Sequence, residues 1–172
     1  MPLRLGISSC LLGEEVRHDG GHKRDGSLID SLGPLVQWIA VCPEMEIGLG
    51  TPREAIRLVR RAAGSIGMES VETQVDLTVR MRAHARRRVK DFAQLDLDGY
   101  VFKSDSPSCG VFRVRVWADG TSPEATGRGV FAEEVIRALP ALPVEEEGRL
   151  HEAHLRENFI ERLSAYRETK TS

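Results

Sequence analysis

YVFKSDSPSCG (Tyr100–Gly110) changes character partway along. Tyr100, Val101 and Phe102 form an apolar run suited to a buried strand, and the residues after Lys103 are turn formers surrounding Cys109. The same arrangement recurs twice. The apolar run Leu3 to Ser8 leads into Cys10 in ISSCLLG, and Val36 to Val41 stops at Cys42-Pro43-Glu44 in IAVCPE. Each cysteine therefore sits just beyond the end of an apolar strand. In a parallel sheet the carboxyl ends lie along one edge, and open α/β folds bind their ligands there.

The intervening segments alternate with these strands. Leu28 to Leu32 fits a short helix ending at Gly33-Pro34. Ile56 to Val59 and Val71 to Val75 read as strands, joined in a hairpin around Gly64 to Gly67. From Asp76 the period becomes helical, with Leu77, Met81, Ala85, Val89 and Phe92 on one face and Asp76 or Thr78 as the cap. Arg113 to Trp117 reads as extended, ATGRGVF as a glycine-rich lead into a helix from about Phe131 to Leu139, and Leu142 to Glu145 as a short strand. A closing amphipathic helix spans about Gly148 to Tyr166, with Leu155, Phe159, Ile160 and Leu163 together. The expectation is a single-domain α/β sandwich with a largely parallel sheet and the cysteines at the carboxyl ends of strands. Residues 1–147 would form the α/β domain, and 148–172 a helix and tail packed on it.

Composition agrees with a globular chain: 172 residues, 41% hydrophobic, 29% charged, net charge −2. That charge exerts no global pull toward nucleic acid. The opening MPLRLGISSC has no apolar signal region and no stretch approaches 18 apolar residues, so the expected location is the cytoplasm. In that reducing compartment three cysteines do not make a disulfide framework. Buried cysteines are commonly small hydrophobes, but all three contexts here are turns. Converging thiolates would suit zinc, with His18, His22 or Glu44 as a fourth ligand. They would equally suit three irons of a four-iron cluster whose fourth iron stays open. A redox thiol would call for a low-pKa cysteine with a resolving partner, usually in C-x-x-C, and that spacing does not occur.

Three ordered motifs add a resemblance. SSCLLGEEVRHDGGHK (Ser8 to Lys23), VCPEMEIGLGTPRE (Val41 to Glu54) and KSDSPSCG (Lys103 to Gly110), supported by GRGVFA (Gly127 to Ala132), resemble the thiouracil desulfidases and their relatives that remove sulfur from 4-thiouridine in tRNA. The likeness spans roughly Leu3 to Pro143. It implies a 4Fe-4S cluster on Cys10, Cys42 and Cys109. It also implies non-redox chemistry, in which the open iron takes the thiocarbonyl sulfur, water adds to the C–S carbon, and sulfur leaves as hydrogen sulfide.

Under that reading Glu44, two residues after a ligand, is the expected base, poised by burial and the cluster's negative charge. Ser106 is the expected relay or substrate-bonding hydroxyl, with Ser104 and Ser108 as rivals. Ser104, Asp19 and Ser9 are the candidates for substrate contact, and Arg17 and Lys23 for charge compensation. His18 stands where relatives tend to carry tyrosine, which removes an expected stacking ring. RMRAHARRRVK (Arg80 to Lys90) places six cations on one helix, a candidate surface for a tRNA backbone. The tail LRENFIERLSAYR (Leu155 to Arg167) resembles the junction beyond which longer relatives carry a tRNA-engaging domain. The small thiolated base or nucleoside is the favoured substrate, tRNA the other.

Overall fold

The computed structural model describes residues 1–171. Its central sheet has four parallel strands in the order β2-β1-β5-β8: β1 (Leu3–Ser8), β2 (Val36–Val41), β5 (Gly99–Phe102) and β8 (Val144–Glu146). The second sheet, in the order β4-β3-β6-β7, is mixed and comprises β3 (Ile56–Arg60), β4 (Ile66–Ser70), β6 (Val114–Trp117) and β7 (Glu124–Gly127). Within it only β3 and β6 run parallel. The helices are α1 (Gly26–Leu32), α2 (Pro43–Glu46), α3 (Thr78–Leu95), α4 (Val130–Ala138) and α5 (Ala153–Thr171).

Side chains alternate across the central sheet, so its two faces feed two cores. Tyr100 and Phe102 join Met81, Ala85, Phe92, Phe131 and Val135 from α3 and α4, together with Leu58, Met68 and Val116 from the second sheet. Leu5, Ile7 and Val101 face the other way, onto Leu28 and Leu32 of α1 and Phe159 and Leu163 of α5. The Tyr100 and Phe102 rings stack with centroids 4.0 Å apart, and the Tyr100 ring occupies the place a side chain on Gly6 would take.

The expected hairpin forms, but its second strand is Ile66–Ser70, and Val71 to Val75 is a turn. The side chains of Ser70, Thr73 and Glu54 hydrogen-bond across that turn, leaving Val75 exposed. Apolar β-branched residues drew the reading toward a strand, yet the buried partner of Leu58 is Met68. Strand β7 lies in the segment read as a glycine-rich lead; it is a short polar edge strand with no apolar alternation to reveal it. The closing helix starts at Ala153, after a 3-10 turn at Arg149–His151.

The start of the central sheet is locked by a buried carboxylate. Asp98 Oδ2 accepts the Arg4 backbone N–H at 2.8 Å, and Arg167 and Lys170 of α5 each reach the carboxylate at 2.8 Å. Burial pushes the Asp98 carboxyl up, but these donors outweigh it and hold the group below its ordinary value of 3.8. The sign follows: the native state favours the ionised form, so this stability is present above pH 3.8 and lost as pH falls below it. Asp98→Asn should lower stability near neutrality by about 2–4 kcal/mol. Thermal melts should also show the variant losing less stability than wild type between neutral and strongly acidic pH.

Candidate metal centre and active cleft

The strands that end at cysteines are neighbours. β1 lies between β2 and β5, all parallel, so their carboxyl ends meet at one edge. A cleft of about 440 Å³ opens there, lined by Cys10, Cys42 and Cys109 together with Ser9, Glu44, Ser104, Ser106 and Lys103. Cys10 sits in the 3-10 turn Ser9–Leu12 directly after β1. Cys42 precedes α2, and the proline at that helix's first position fixes the turn that follows the thiol. Cys109 sits on the loop that leaves β5.

That loop is the most heavily braced part of the site. Ser106 Oγ accepts the Cys109 and Ser108 N–H groups at 3.0 and 3.3 Å. The N-terminus of α4 presses on it, with Val130 N donating to Pro107 O at 3.0 Å and Ala132 N to Ser108 O at 2.9 Å. A methyl group on Gly129 would lie 2.4 Å from Ser108 backbone atoms, so only glycine allows this approach. GRGVFA is thus a packing motif against the cysteine loop. On the far side two consecutive carboxylates of the β8 tip grip the loop's ends. Glu146 accepts Val111 N at 2.8 Å and Phe112 N at 3.1 Å, and Glu147 accepts Ser104 N at 2.6 Å.

Glu44 is buried beside two of the thiols. Its carboxylate stands 3.6 Å from Cys42 Sγ and accepts a hydrogen bond from the Ser108 hydroxyl. Ser108 is in turn 3.1 Å from Ser106 Oγ and 3.5 Å from Cys109 Sγ. Ser106, Ser108 and Glu44 therefore form a chain of hydroxyls ending on a carboxylate. Of the three serines weighed, Ser108 touches Glu44, Ser106 stands one step away, and Ser104 is turned to Glu147 with its hydroxyl 3.1 Å from that carboxylate. Ser9 lines the cleft. Asp19 does not: it is exposed, and its Oδ1 caps its own turn by accepting Gly21 N at 2.9 Å. Arg17, His18 and Lys23 line the cleft, whereas His22 is exposed and accepts Arg24 N. Arg53, Arg115 and Glu147 were not singled out from sequence. The only available signal was for Arg53, which falls within a motif that carries the resemblance.

Burial pushes the Cys10 thiol up and the Cys109 thiol far up, while burial and the adjacent Glu44 charge push Cys42 up to about 12. None of the three has the lowered pKa of a redox nucleophile. Among the described residues, no three His, Cys, Asp or Glu side chains come close enough to share one metal ion. Three thiols lining one cleft make a soft donor set of the kind that iron–sulfur and zinc centres take.

Part of the basic helix α3 faces the scaffold. Arg80 donates to Ile47 O, His84 Nε2 lies 2.7 Å from Glu46 and Arg88 Nε 3.2 Å from the same carboxylate, so this row clamps α2 and with it Glu44. Arg82 and Arg86 approach Glu134 of α4 at 3.9 and 3.5 Å. No helix of the described residues is long and apolar enough to cross a membrane.

Comparison with known proteins places this arrangement. A model of the 2-thiouracil desulfurase family matches residues 5–147. The uncharacterized protein YbbK of Bacillus subtilis (strain 168) is 28% identical over 108 residues, covering 60% of this chain and 71% of that one. The solved structure of the [4Fe-4S]-dependent thiouracil desulfidase TudS is similar with a TM-score of 0.66 and 27% identity, covering 91% of this chain and 98% of that one. Gly129→Ala should force α4 off the cysteine loop and cost between about 1 and 3 kcal/mol, the scale of overpacking. Denaturant unfolding would measure it, and an unchanged midpoint would contradict the close docking described above.

Proposed function

The chain belongs to the 2-thiouracil desulfurase family, and from that premise we propose that it removes sulfur from a small thiolated pyrimidine, without net oxidation, at a 4Fe-4S cluster held by Cys10, Cys42 and Cys109. The observation that carries the reading is the meeting of three thiols at the ends of adjacent parallel strands, in one cleft with Glu44. The donor set fits such a group. It is all sulfur, it offers three ligands and so leaves one iron without a protein ligand, and Arg17 stands near enough to lower the charge cost at Cys10. When bound, the cluster supplies an open iron as a Lewis acid for the substrate's sulfur.

The chain's own residues would do the rest. Glu44 takes a proton from the water that adds to the C–S carbon; Ser108, hydrogen-bonded to it, holds the carboxylate in place and connects it to Ser106 at the cleft wall. Ser104 donates its hydroxyl proton to Glu147 and keeps a lone pair for a substrate N–H. Ser9, at the start of the turn that bears Cys10 and on the cleft lining, would contact the base. The two protons of water end on the departing sulfur as hydrogen sulfide, so thiocarbonyl and water become carbonyl and hydrogen sulfide with no electron gained or lost.

A small substrate is favoured by two observations. The cleft volume, about 440 Å³, lies within the range of small-ligand pockets, about 300–1,000 Å³. Four of the six cations of α3 reach Glu46, Glu134 or the Ile47 carbonyl. Protein prepared without oxygen and given 2-thiouracil should release sulfide. Glu44→Gln should keep its iron and release sulfide about a hundredfold more slowly or worse, the scale of a lost general base. Equal rates would remove Glu44 from the reaction.

A further inference from the structure

The cleft holds a cation whose placement is more elaborate than charge balance requires. Lys103 is the first residue after β5, and its backbone N–H donates to Ser8 Oγ at 3.0 Å, tying it to the end of the neighbouring strand two residues before Cys10. Its ammonium donates to Ser104 O at 2.7 Å, lies 3.3 Å from Ser104 Oγ and 3.8 Å from Glu147 Oε2, and its side chain is only 19% exposed. Glu147, itself buried, accepts both the N–H and the hydroxyl of Ser104. Two of the ammonium's three donors are thus spent on Ser104, which tethers it on one side and leaves the third to give. Two of the other cations lining the cleft are engaged: Arg53 donates to Val16 O and Gly50 O at 2.9 and 2.7 Å, and Arg115 pairs with Asp105 at 2.7 Å; Arg17 and Lys23 line it as well.

We propose that Lys103 is a catalytic residue that hydrogen-bonds the pyrimidine where negative charge develops, and that Glu147, acting through Ser104 and the ammonium, is the residue that positions it. The role rests on the desulfuration reading. When water adds, a C–O bond forms, one proton passes to Glu44, and the π pair of the thiocarbonyl moves onto the sulfur, which is where the ammonium would have to reach. A fixed ammonium stabilises that charge more than it stabilises the neutral base, and this is the condition for raising kcat. When the C–S bond breaks, the proton on Glu44 and the remaining hydroxyl proton pass to sulfur, and the charge facing Lys103 disappears.

The test compares wild type, Lys103→Met, Glu147→Gln and the double variant, each loaded without oxygen and assayed for iron content, melting temperature and sulfide release from 2-thiouracil. Lys103→Met should keep its iron and its melting temperature, and lose about a hundredfold in kcat with a smaller change in KM. Glu147→Gln should lose about tenfold in kcat, and the double variant should be no slower than Lys103→Met, because the two act as one unit. Three results would each overturn the proposal: Lys103→Met turning over within twofold of wild type, Lys103→Met losing its iron, or single losses that multiply in the double variant. Iron-loaded wild type that releases no sulfide from thiouracil would instead overturn the desulfuration reading beneath it.

Discussion

The structure depends on the parallel pairing of three strands. β1 is hydrogen-bonded to β2 on one side and β5 on the other, and all three point the same way. Residues distant in sequence are thereby delivered to one edge without any local motif joining them. Packing enforces the alignment, because Gly6 leaves room for the Tyr100 ring and Gly99 for Leu163 of α5. A β1 slipped by one residue would turn Leu5 and Ile7 away from α1 and α5 and would point the Cys10 turn elsewhere.

Around that edge, charged side chains do the holding that a small apolar core cannot. α3 fastens α2 through Glu46 and α4 through Glu134, so one helix steadies both the segment bearing Glu44 and the helix pressed on the Cys109 loop. The β8 tip holds the same loop from its other side with Glu146 and Glu147. Burial pushes the Glu146 carboxyl up, against the pull of the two backbone N–H groups it accepts. A carboxylate is kept there at some cost because those two donors would otherwise be left without partners. Thiols pushed up by burial follow the same logic: they are poor nucleophiles alone, and a metal that bound them would have to displace their protons.

Much of this was legible in the residues. The positions of β1, β2 and β5, and so of the three cysteines, followed from apolar runs stopped by turn formers. Glu44 followed from its place two residues after Cys42. What could not be read depended on pairings between distant segments. Val71 to Val75 carries strand-like residues but folds as a turn because Met68, not Val71, meets Leu58. β7 is polar and exposed, and gains its strand conformation only from β6. The acids that engage several of the cations in Arg80 to Lys90, Glu46 and Glu134, lie far away in sequence. Lys103 and Glu147 were missed because a lysine and a run of three glutamates look like solvated charge until β8 is placed beside β5.

Whether three strand-end thiols hold one cluster is read most directly from iron and acid-labile sulfide per chain in protein purified without oxygen, for wild type and each Cys→Ser variant. About four irons and four sulfides with broad absorption near 400 nm in wild type, lost or unstable in every variant, is the predicted result. One zinc per chain, or a stable full cluster in the Cys10→Ser variant, would contradict it.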